Sequence, residues 1–206
     1  MTNCIEQEYY PLVLVHGLWD TPQLFDKLLH CLGGNRWPIL RPYLPSQLGK
    51  LPIFTLAKHL DQQIRSNYGA SGIVDLLGFS MGGIIARTWI QHLGGYRRLR
   101  RFISVGSPQN GSLLASAWPG ELLRGIADLK PNSALLNDLN NDFKKLSHID
   151  CCSFYCVFDL MVLPGWRATL PIGRSYSLPV WSHQQLMTHQ GALQPLTKEL
   201  LKDLED

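Results

Sequence analysis

The sequence has little charge and no strong excess of either sign. Charged residues make up 17% of its 206 positions, and the formal net charge is +3 with neutral histidines. Nucleic-acid binding depends on many basic side chains that neutralise phosphates, so this composition argues against a nucleic-acid partner. A chain of about 200 residues buries enough surface for one core and leaves little for a second. We therefore expect residues 1–206 to form one soluble domain.

The sequence also lacks long hydrophobic runs and paired cysteines. Its first apolar run covers only residues 12–15 and follows no basic segment, unlike a secretory signal. No run approaches the roughly 18 residues that a membrane span needs. The five cysteines, at positions 4, 31, 151, 152 and 156, form no CxxC pair, and their odd number favours reduced thiols. These absences predict a cytoplasmic protein.

Signatures of metal and phosphate sites are missing as well. The seven histidines form no HxH or HExxH pattern, and no Lys-Ser or Lys-Thr follows the glycine pair at positions 82 and 83. We therefore expect neither a metal nor another cofactor.

What the sequence does contain is a regular alternation of short apolar runs with segments of helical periodicity. Strands are predicted at 11–15, 37–44, 73–77, 102–105 and 154–158, and helices at 21–32, 53–69, 82–93 and 192–204. This alternation predicts a parallel sheet covered by helices. Two prolines make the second strand short or place it at an edge. Residues 111–150 are predicted as an irregular segment with two short helices, and residues 163–179 as a second long loop; segments of this kind are often functional.

The motif GFSMGG follows the third predicted strand directly and begins a helix. Its first five residues match GxSxG, in which the central residue is Ser80. A serine on a sharp turn between a strand and a helix is exposed to substrate, and glycines at 78 and 82 avoid clashes in that turn. Ser80 is therefore the candidate nucleophile.

A serine nucleophile needs a histidine base and a carboxylate that orients it. Asp159 directly follows the last predicted strand, which ends at Phe158, at the sheet edge where such sites assemble. Two histidines follow it in the chain. His183 lies in a loop ahead of the last helix and is our choice, whereas His189 lies near the start of that helix and is the alternative, with a helix cap as its other role.

Acyl transfer also needs N–H donors for the oxyanion of the tetrahedral intermediate. The expected donors are the backbone amide after the nucleophile and one from the loop after the first strand. These are Met81 and Leu18, the latter following His16-Gly17.

Taken in order, five stretches resemble the motifs of small lipases and esterases with the α/β-hydrolase fold, including short lipase-like hydrolases of cyanobacterial and plastid type. They are LVLVHGLWDTP, LLGFSMGG, ISVGSPQNGS, FDLMVLPGW and WSHQQLMTH. The resemblance extends from Pro11 to Leu204. It implies a near-minimal, doubly wound parallel sheet of about five to six strands, with helices on both faces and a short cap at 111–150.

The resemblance also implies a serine carboxylic-ester hydrolase that forms an acyl-enzyme on Ser80. Glycerolipids such as acylglycerols or galactolipids are the substrates to expect. An acyltransferase or a thioesterase with the same triad is the alternative, and a non-catalytic binding module is the third reading.

Apolar residues concentrate in the loops that carry these motifs. We assign Trp19, Leu113, Leu160 and Met161 to substrate binding, because apolar side chains bind acyl chains. Several such residues exposed together would form a rim that contacts lipid, so we also expect peripheral membrane contact. The four arginines between 97 and 101 are interpreted as a solvated helix end, or else as a contact with anionic lipid headgroups.

Overall fold

A six-stranded parallel sheet forms the centre of the computed structural model, which describes residues 10–119 and 122–202. The strands are β1 (Leu12–Val15), β2 (Ile39–Leu40), β3 (Val74–Phe79), β4 (Leu99–Val105), β5 (Asp150–Tyr155) and β6 (Arg174–Ser177). The α-helices are α1 (Asp26–Leu32), α2 (Ile53–Tyr68), α3 (Met81–His92), α4 (Arg124–Ala127), α5 (Ala134–Asn141) and α6 (Gln190–Leu200). The strand order is β2-β1-β3-β4-β5-β6, which confirms the predicted parallel sheet.

Helices cover both faces of this sheet. Side chains alternate between the faces of a strand, so Val13 and Val15 of β1 face the core formed with α2 and α3. Leu12 and Leu14 face the opposite core, which contains residues of α1 and α6. The central strands are buried on both faces, which explains their nearly continuous apolar sequences.

The second strand is short, as its prolines predict. Only Ile39–Leu40 pairs with β1, at one edge of the sheet. The predicted helix at 21–32 begins as a 3-10 turn over Pro22–Phe25 and continues as α1. It ends at Gly33, whose φ of 57° is a left-handed conformation that glycine adopts without strain.

The arginine cluster has a structural role that neither sequence interpretation anticipated. Strand β4 begins at Leu99, so Arg100 and Arg101 lie within the sheet. Arg100 donates to Asp75 over 2.9 and 2.6 Å, and Arg101 donates to Asp150 over 3.1 Å. These two arginines therefore join neighbouring strands through ion pairs. Arg97 is the exposed member of the cluster, and its guanidinium lies against the ring of its neighbour Tyr96.

The sequence prediction was wrong about the last two strands. The strand expected at 154–158 starts and ends earlier, as β5, and the loop expected at 163–179 contains β6. The residues of β6, Arg-Ser-Tyr-Ser, are mostly exposed at the sheet edge, so they carry no apolar pattern. The segment 111–150 contains the two short helices α4 and α5; α5 packs against α3, and α4 packs against the 3-10 turns Gln47–Gly49 and Leu114–Ala117.

Four cysteines lie in the described part of the chain and all are free thiols; Cys4 lies outside it. Within the same residues, no helix combines the length and the apolar character that crossing a bilayer requires.

Candidate active site

The turn between β3 and α3 presents Ser80 at the carboxyl end of the sheet. Ser80 has φ 54° and ψ −127°, a strained conformation for a residue with a side chain. Its N–H donates to the carbonyl of Val105 at the end of β4, over 2.9 Å. This is the geometry that the GxSxG motif predicts for an exposed nucleophile.

The two glycines of the motif allow close backbone contacts around Ser80. A Cβ on Gly82 would lie 2.2 Å from the carbonyl oxygen of Val15, and one on Gly78 would lie 2.5 Å from the Cα of Gly83. No side chain fits at either position without moving backbone. The glycines therefore allow the start of α3 to lie against the end of β1. The loop that follows β1 carries Leu18 and is called the oxyanion loop below, after its predicted role.

Asp159 and His183 form a hydrogen-bonded pair. The distance between His183 Nδ1 and Asp159 Oδ2 is 2.6 Å, and the Asp159 side chain is 1% exposed. Because a carboxylate only accepts hydrogen bonds, Nδ1 carries the proton and the lone pair lies on Nε2. The pair therefore holds the imidazole in the tautomer that a general base requires.

The loop after β5 fixes the Asp159 carboxylate. The sequence placed Asp159 directly after a strand, but β5 ends at Tyr155, and Asp159 lies in the turn that follows. Its Oδ1 accepts from the backbone N–H of Met161 over 2.8 Å and of Val162 over 3.3 Å. The Ser112 hydroxyl donates to the Met161 carbonyl over 2.6 Å, which ties this loop to the cap.

His183 and Ser80 border the same cavity. The imidazole packs on the ring of Phe79, with centroids 4.8 Å apart. Its Nε2 is buried and makes no hydrogen bond to any described residue. The nitrogen that would accept a proton thus has no competing protein partner.

His189 lies elsewhere. Its side chain is exposed and accepts from the N–H of Gly191 over 3.0 Å, which caps α6. This is the alternative role that the sequence suggested for it.

Leu18 and Met81 also border the cavity beside Ser80. Met81 is the first residue of α3, so its N–H has no acceptor within the helix. Leu18 follows Gly17 in the loop after β1. The structure therefore brings together all five residues assigned to the triad and the oxyanion hole.

His16 anchors this loop. Its Nδ1–H donates to the Gly17 carbonyl over 2.9 Å, its Nε2 accepts from the N–H of Leu44 over 3.1 Å, and its ring lies against Tyr43. Burial lowers the pKa of His16, against smaller opposing effects of the Gly17 carbonyl and Asp20. The imidazole is therefore held neutral.

This contact predicts a pH dependence of stability. At pH 8 we expect His16→Ala to lower the free energy of unfolding by about 1–3 kcal/mol, since two buried hydrogen bonds are lost. The pKa of His16 is lower in the folded state, so the unfolded chain takes up the proton first as the pH falls below about 6.5. The wild-type advantage then shrinks toward the lowered folded-state pKa. Urea unfolding at several pH values measures the difference in stability between wild type and His16→Ala. His148→Ala, at an exposed position, serves as the control. A difference between wild type and His16→Ala that stays constant with pH would contradict the prediction.

The cavity has a volume of about 360 Å³ and a mostly apolar lining. Of the residues assigned to substrate binding, Trp19 and Met161 line it, whereas Leu113 and Leu160 do not and are 53% and 73% exposed on the nearby surface. The cap supplies lining residues that sequence reasoning did not assign to substrate binding: Leu114, Ala115, Trp118, Ile126 and Leu129. No residue cluster typical of a metal site occurs within 10–119 and 122–202.

Arg87 of α3 holds the cap in place. It is fully buried and hydrogen-bonds to no carboxylate among the described residues. It donates to the side chains of Gln91 over 2.7 Å and Gln109 over 3.2 Å, and to the Leu139 carbonyl and the Asn140 side chain of α5, both over 2.9 Å. Burial lowers the pKa of Arg87 to about 10, so it stays charged at neutral pH. The helix that begins at the nucleophile therefore also fixes the cap.

Comparison with known proteins agrees with this architecture. A sequence model of the palmitoyl protein thioesterase family matches residues 48–147, just under half of the chain, which includes the nucleophile motif and most of the cap but neither Asp159 nor His183. No curated protein sequence matches significantly.

Several solved structures superimpose on nearly the whole chain. Lipase BlEst2 from Bacillus licheniformis, in its mature form, has a TM-score of 0.76 at 18% identity, covering 96% of this chain and 94% of its own. Lipase B from Aspergillus fumigatus has a TM-score of 0.76 at 17% identity, covering 95% of this chain and 53% of its own. An α/β-hydrolase enzyme, MGS-MChE2, from a sediment metagenome of the lagoon of Mar Chica, Morocco, has a TM-score of 0.67 at 20% identity, covering 93% and 90%. The chain therefore has the α/β-hydrolase fold that these lipases share.

Proposed function

We propose that this chain is a serine carboxylic-ester hydrolase that forms an acyl-enzyme on Ser80. The observation that carries the proposal is the Asp159–His183 pair, whose free Nε2 borders the same cavity as a serine on a strained turn. A core histidine with a structural role would have both nitrogens bonded, as His16 does. The lipases that share the fold support the same reaction class.

In the proposed mechanism, Ser80 Oγ attacks the acyl carbonyl carbon while His183 Nε2 takes the hydroxyl proton. Asp159 stabilises the imidazolium that forms, and the amides of Leu18 and Met81 donate to the oxyanion. The intermediate collapses, the bond from the acyl carbon to the leaving-group oxygen breaks, and His183 gives its proton to that oxygen. Water then attacks the acyl-enzyme by the same route, which releases the acid and restores Ser80.

The cavity lining supports an acyl substrate. Apolar side chains of the cap and of the loop that carries Asp159 surround the space beside Ser80. The cavity volume of about 360 Å³ is in the range of small-ligand sites. We propose glycerolipids, acylglycerols or galactolipids, as the substrate class, because they combine an apolar acyl chain with an ester.

Exposed apolar residues near the cavity support contact with a lipid surface. Trp19 and Trp118 line the cavity, are 53% and 42% exposed, and have ring centroids 6.2 Å apart. Leu113, Leu160 and Trp166 add further exposed apolar area in neighbouring loops. Exposed apolar groups of this size are uncommon on a protein that meets only water. We propose that this surface brings the cavity mouth to a membrane.

A thioesterase is the second candidate, and the family match over residues 48–147 favours it. A thioester reacts at the same acyl carbon with a thiolate leaving group, so the same triad serves either reaction.

Hydrolysis of matched substrates tests both candidates. We expect purified protein to hydrolyse octanoyl and palmitoyl glycerol esters, and a fluorophosphonate probe to label Ser80. Much faster cleavage of a thioester with the same acyl chain would favour the second candidate, and transfer of the acyl group to an added alcohol would identify an acyltransferase. Absence of both labelling and hydrolysis would leave a non-catalytic binding module.

A further inference from the structure

A carboxyl group that the triad does not use borders the catalytic cavity. Asp20 follows the oxyanion loop and lines the cavity together with Ser80 and His183. It is the one carboxyl-bearing residue in a described lining that otherwise consists of apolar side chains, two serines, His183 and Gln184. A half-buried carboxylate in such surroundings needs hydrogen-bond donors.

Asp20 lies directly beside the nucleophile. A Cβ built on Gly17 would lie 2.8 Å from Asp20 Oδ2 and 2.9 Å from Ser80 Cβ, so the two side chains flank Gly17 as neighbours. The absence of a Cβ at Gly17 makes this approach between them possible.

Few protein groups satisfy the Asp20 carboxylate. The groups that favour its charged form are the titratable side chains of His16 and His183 and, to a smaller extent, the Gly17 backbone. Burial raises the pKa of Asp20, against the smaller opposing effects of these groups. A carboxylate has about four acceptor positions, so most of those on Asp20 are free to meet a ligand.

We propose that Asp20 determines which leaving group the site accepts: its carboxylate receives hydrogen bonds from hydroxyls of an uncharged polyol esterified to the acyl chain, and it repels an anionic leaving group. The inference rests on the proposed ester hydrolysis. When an acyl chain fills the apolar cavity and excludes water, the carboxylate needs donors from the substrate. A glycerol or sugar moiety supplies such donors, a methyl ester supplies none, and a carboxylate or phosphate adds repulsion.

The test compares three octanoyl esters on wild type, Asp20→Asn and a control variant. The leaving groups are glycerol, methanol and glycolate, which is anionic. The asparagine keeps the shape of the side chain, but it removes the charge. Asp26→Asn removes an exposed charge on α1 outside the cavity lining and serves as the control.

We expect Asp20→Asn to lower the ratio of kcat/KM for the glycerol ester to that for the methyl ester about tenfold, because charged hydrogen bonds are stronger than neutral ones. The glycolate ester should improve about tenfold relative to the methyl ester, and Asp26→Asn should change neither ratio. Unchanged ratios in Asp20→Asn would overturn the proposal. An equal fall for all three esters would also overturn it, since Asp20 would then only support the Gly17 turn. If wild type hydrolyses none of the esters, the hydrolase proposal fails and this assignment fails with it.

Discussion

Ser80→Ala is expected to reduce ester hydrolysis by about 10⁴- to 10⁶-fold while the protein stays folded. Loss of the nucleophile removes the covalent route, and what is left is the weaker catalysis of the oxyanion donors and of substrate positioning. The variant should fold because alanine also has a Cβ, and the native turn already accommodates one at φ 54°. The Ser80 N–H that donates to Val105 is unchanged by the substitution.

Single-turnover and steady-state rates on a glycerol ester measure this effect, together with labelling by a fluorophosphonate. Ser66→Ala, at an exposed position on α2, is the matched control and should match wild type in both rate and labelling. Equal thermal midpoints for the two variants would separate lost chemistry from lost folding. Full activity of Ser80→Ala would show that another group attacks the ester and would refute the mechanism.

The central part of the fold could be predicted because its sequence signals are local. A buried strand in a parallel sheet is apolar throughout, so β3 and the motif that follows it are visible as a run ending in GFSMGG. The helices before and after this strand are recognised because their apolar residues recur with a period of about 3.6 residues. Since the carboxyl ends of parallel strands meet at one edge, the chain order of Ser80, Asp159 and His183 was enough to select residues that the fold brings together.

Features that depend on contacts distant in sequence could not be predicted in this way. Strand β6 is exposed and polar, so it has no apolar pattern, and only its pairing with β5 makes it a strand. In the sequence, Arg100 is part of a basic run that is typical of a solvated helix end. Its partner Asp75 lies on the neighbouring strand, and only the fold brings the two together. The sequence around Arg87 gives no sign of its hydrogen-bond partners, which lie in its own helix (Gln91), in the loop after β4 (Gln109) and in α5 (Leu139 and Asn140).

Asp20 illustrates the same limit within the site. An aspartate after a strand and a turn is common in any loop, and the sequence of the HGLWD stretch does not say where its carboxylate points. What distinguishes Asp20 is its proximity to Ser80 across Gly17, which depends on α3 packing against the end of β1. The role proposed for Asp20 thus depends on the close backbone approach that two glycines, at 17 and 82, allow.

His183→Ala and His189→Ala, compared side by side, should differ in activity by about 10³-fold or more. In the proposed mechanism His183 Nε2 takes the Ser80 proton, and general base catalysis together with activation of the nucleophile contributes several orders of magnitude. Its removal should leave Asp159 as a buried carboxylate without its partner, so some loss of stability accompanies the loss of rate.

The His189 side chain is exposed, and His189→Ala removes only the hydrogen bond by which it caps α6. We expect this substitution to lower the free energy of unfolding by about 1 kcal/mol with little change in kcat. The free energy of unfolding and kcat, measured on both variants, separate the helix cap from the general base. A folding defect lowers the fraction of active protein, whereas loss of the base lowers kcat and changes its pH profile. The acid limb of the wild-type kcat/KM profile reports protonation of the base, and it should persist in His189→Ala and vanish from the residual activity of His183→Ala. The reverse pattern, in which His183→Ala keeps both rate and acid limb while His189→Ala loses them, would transfer the role of base to His189.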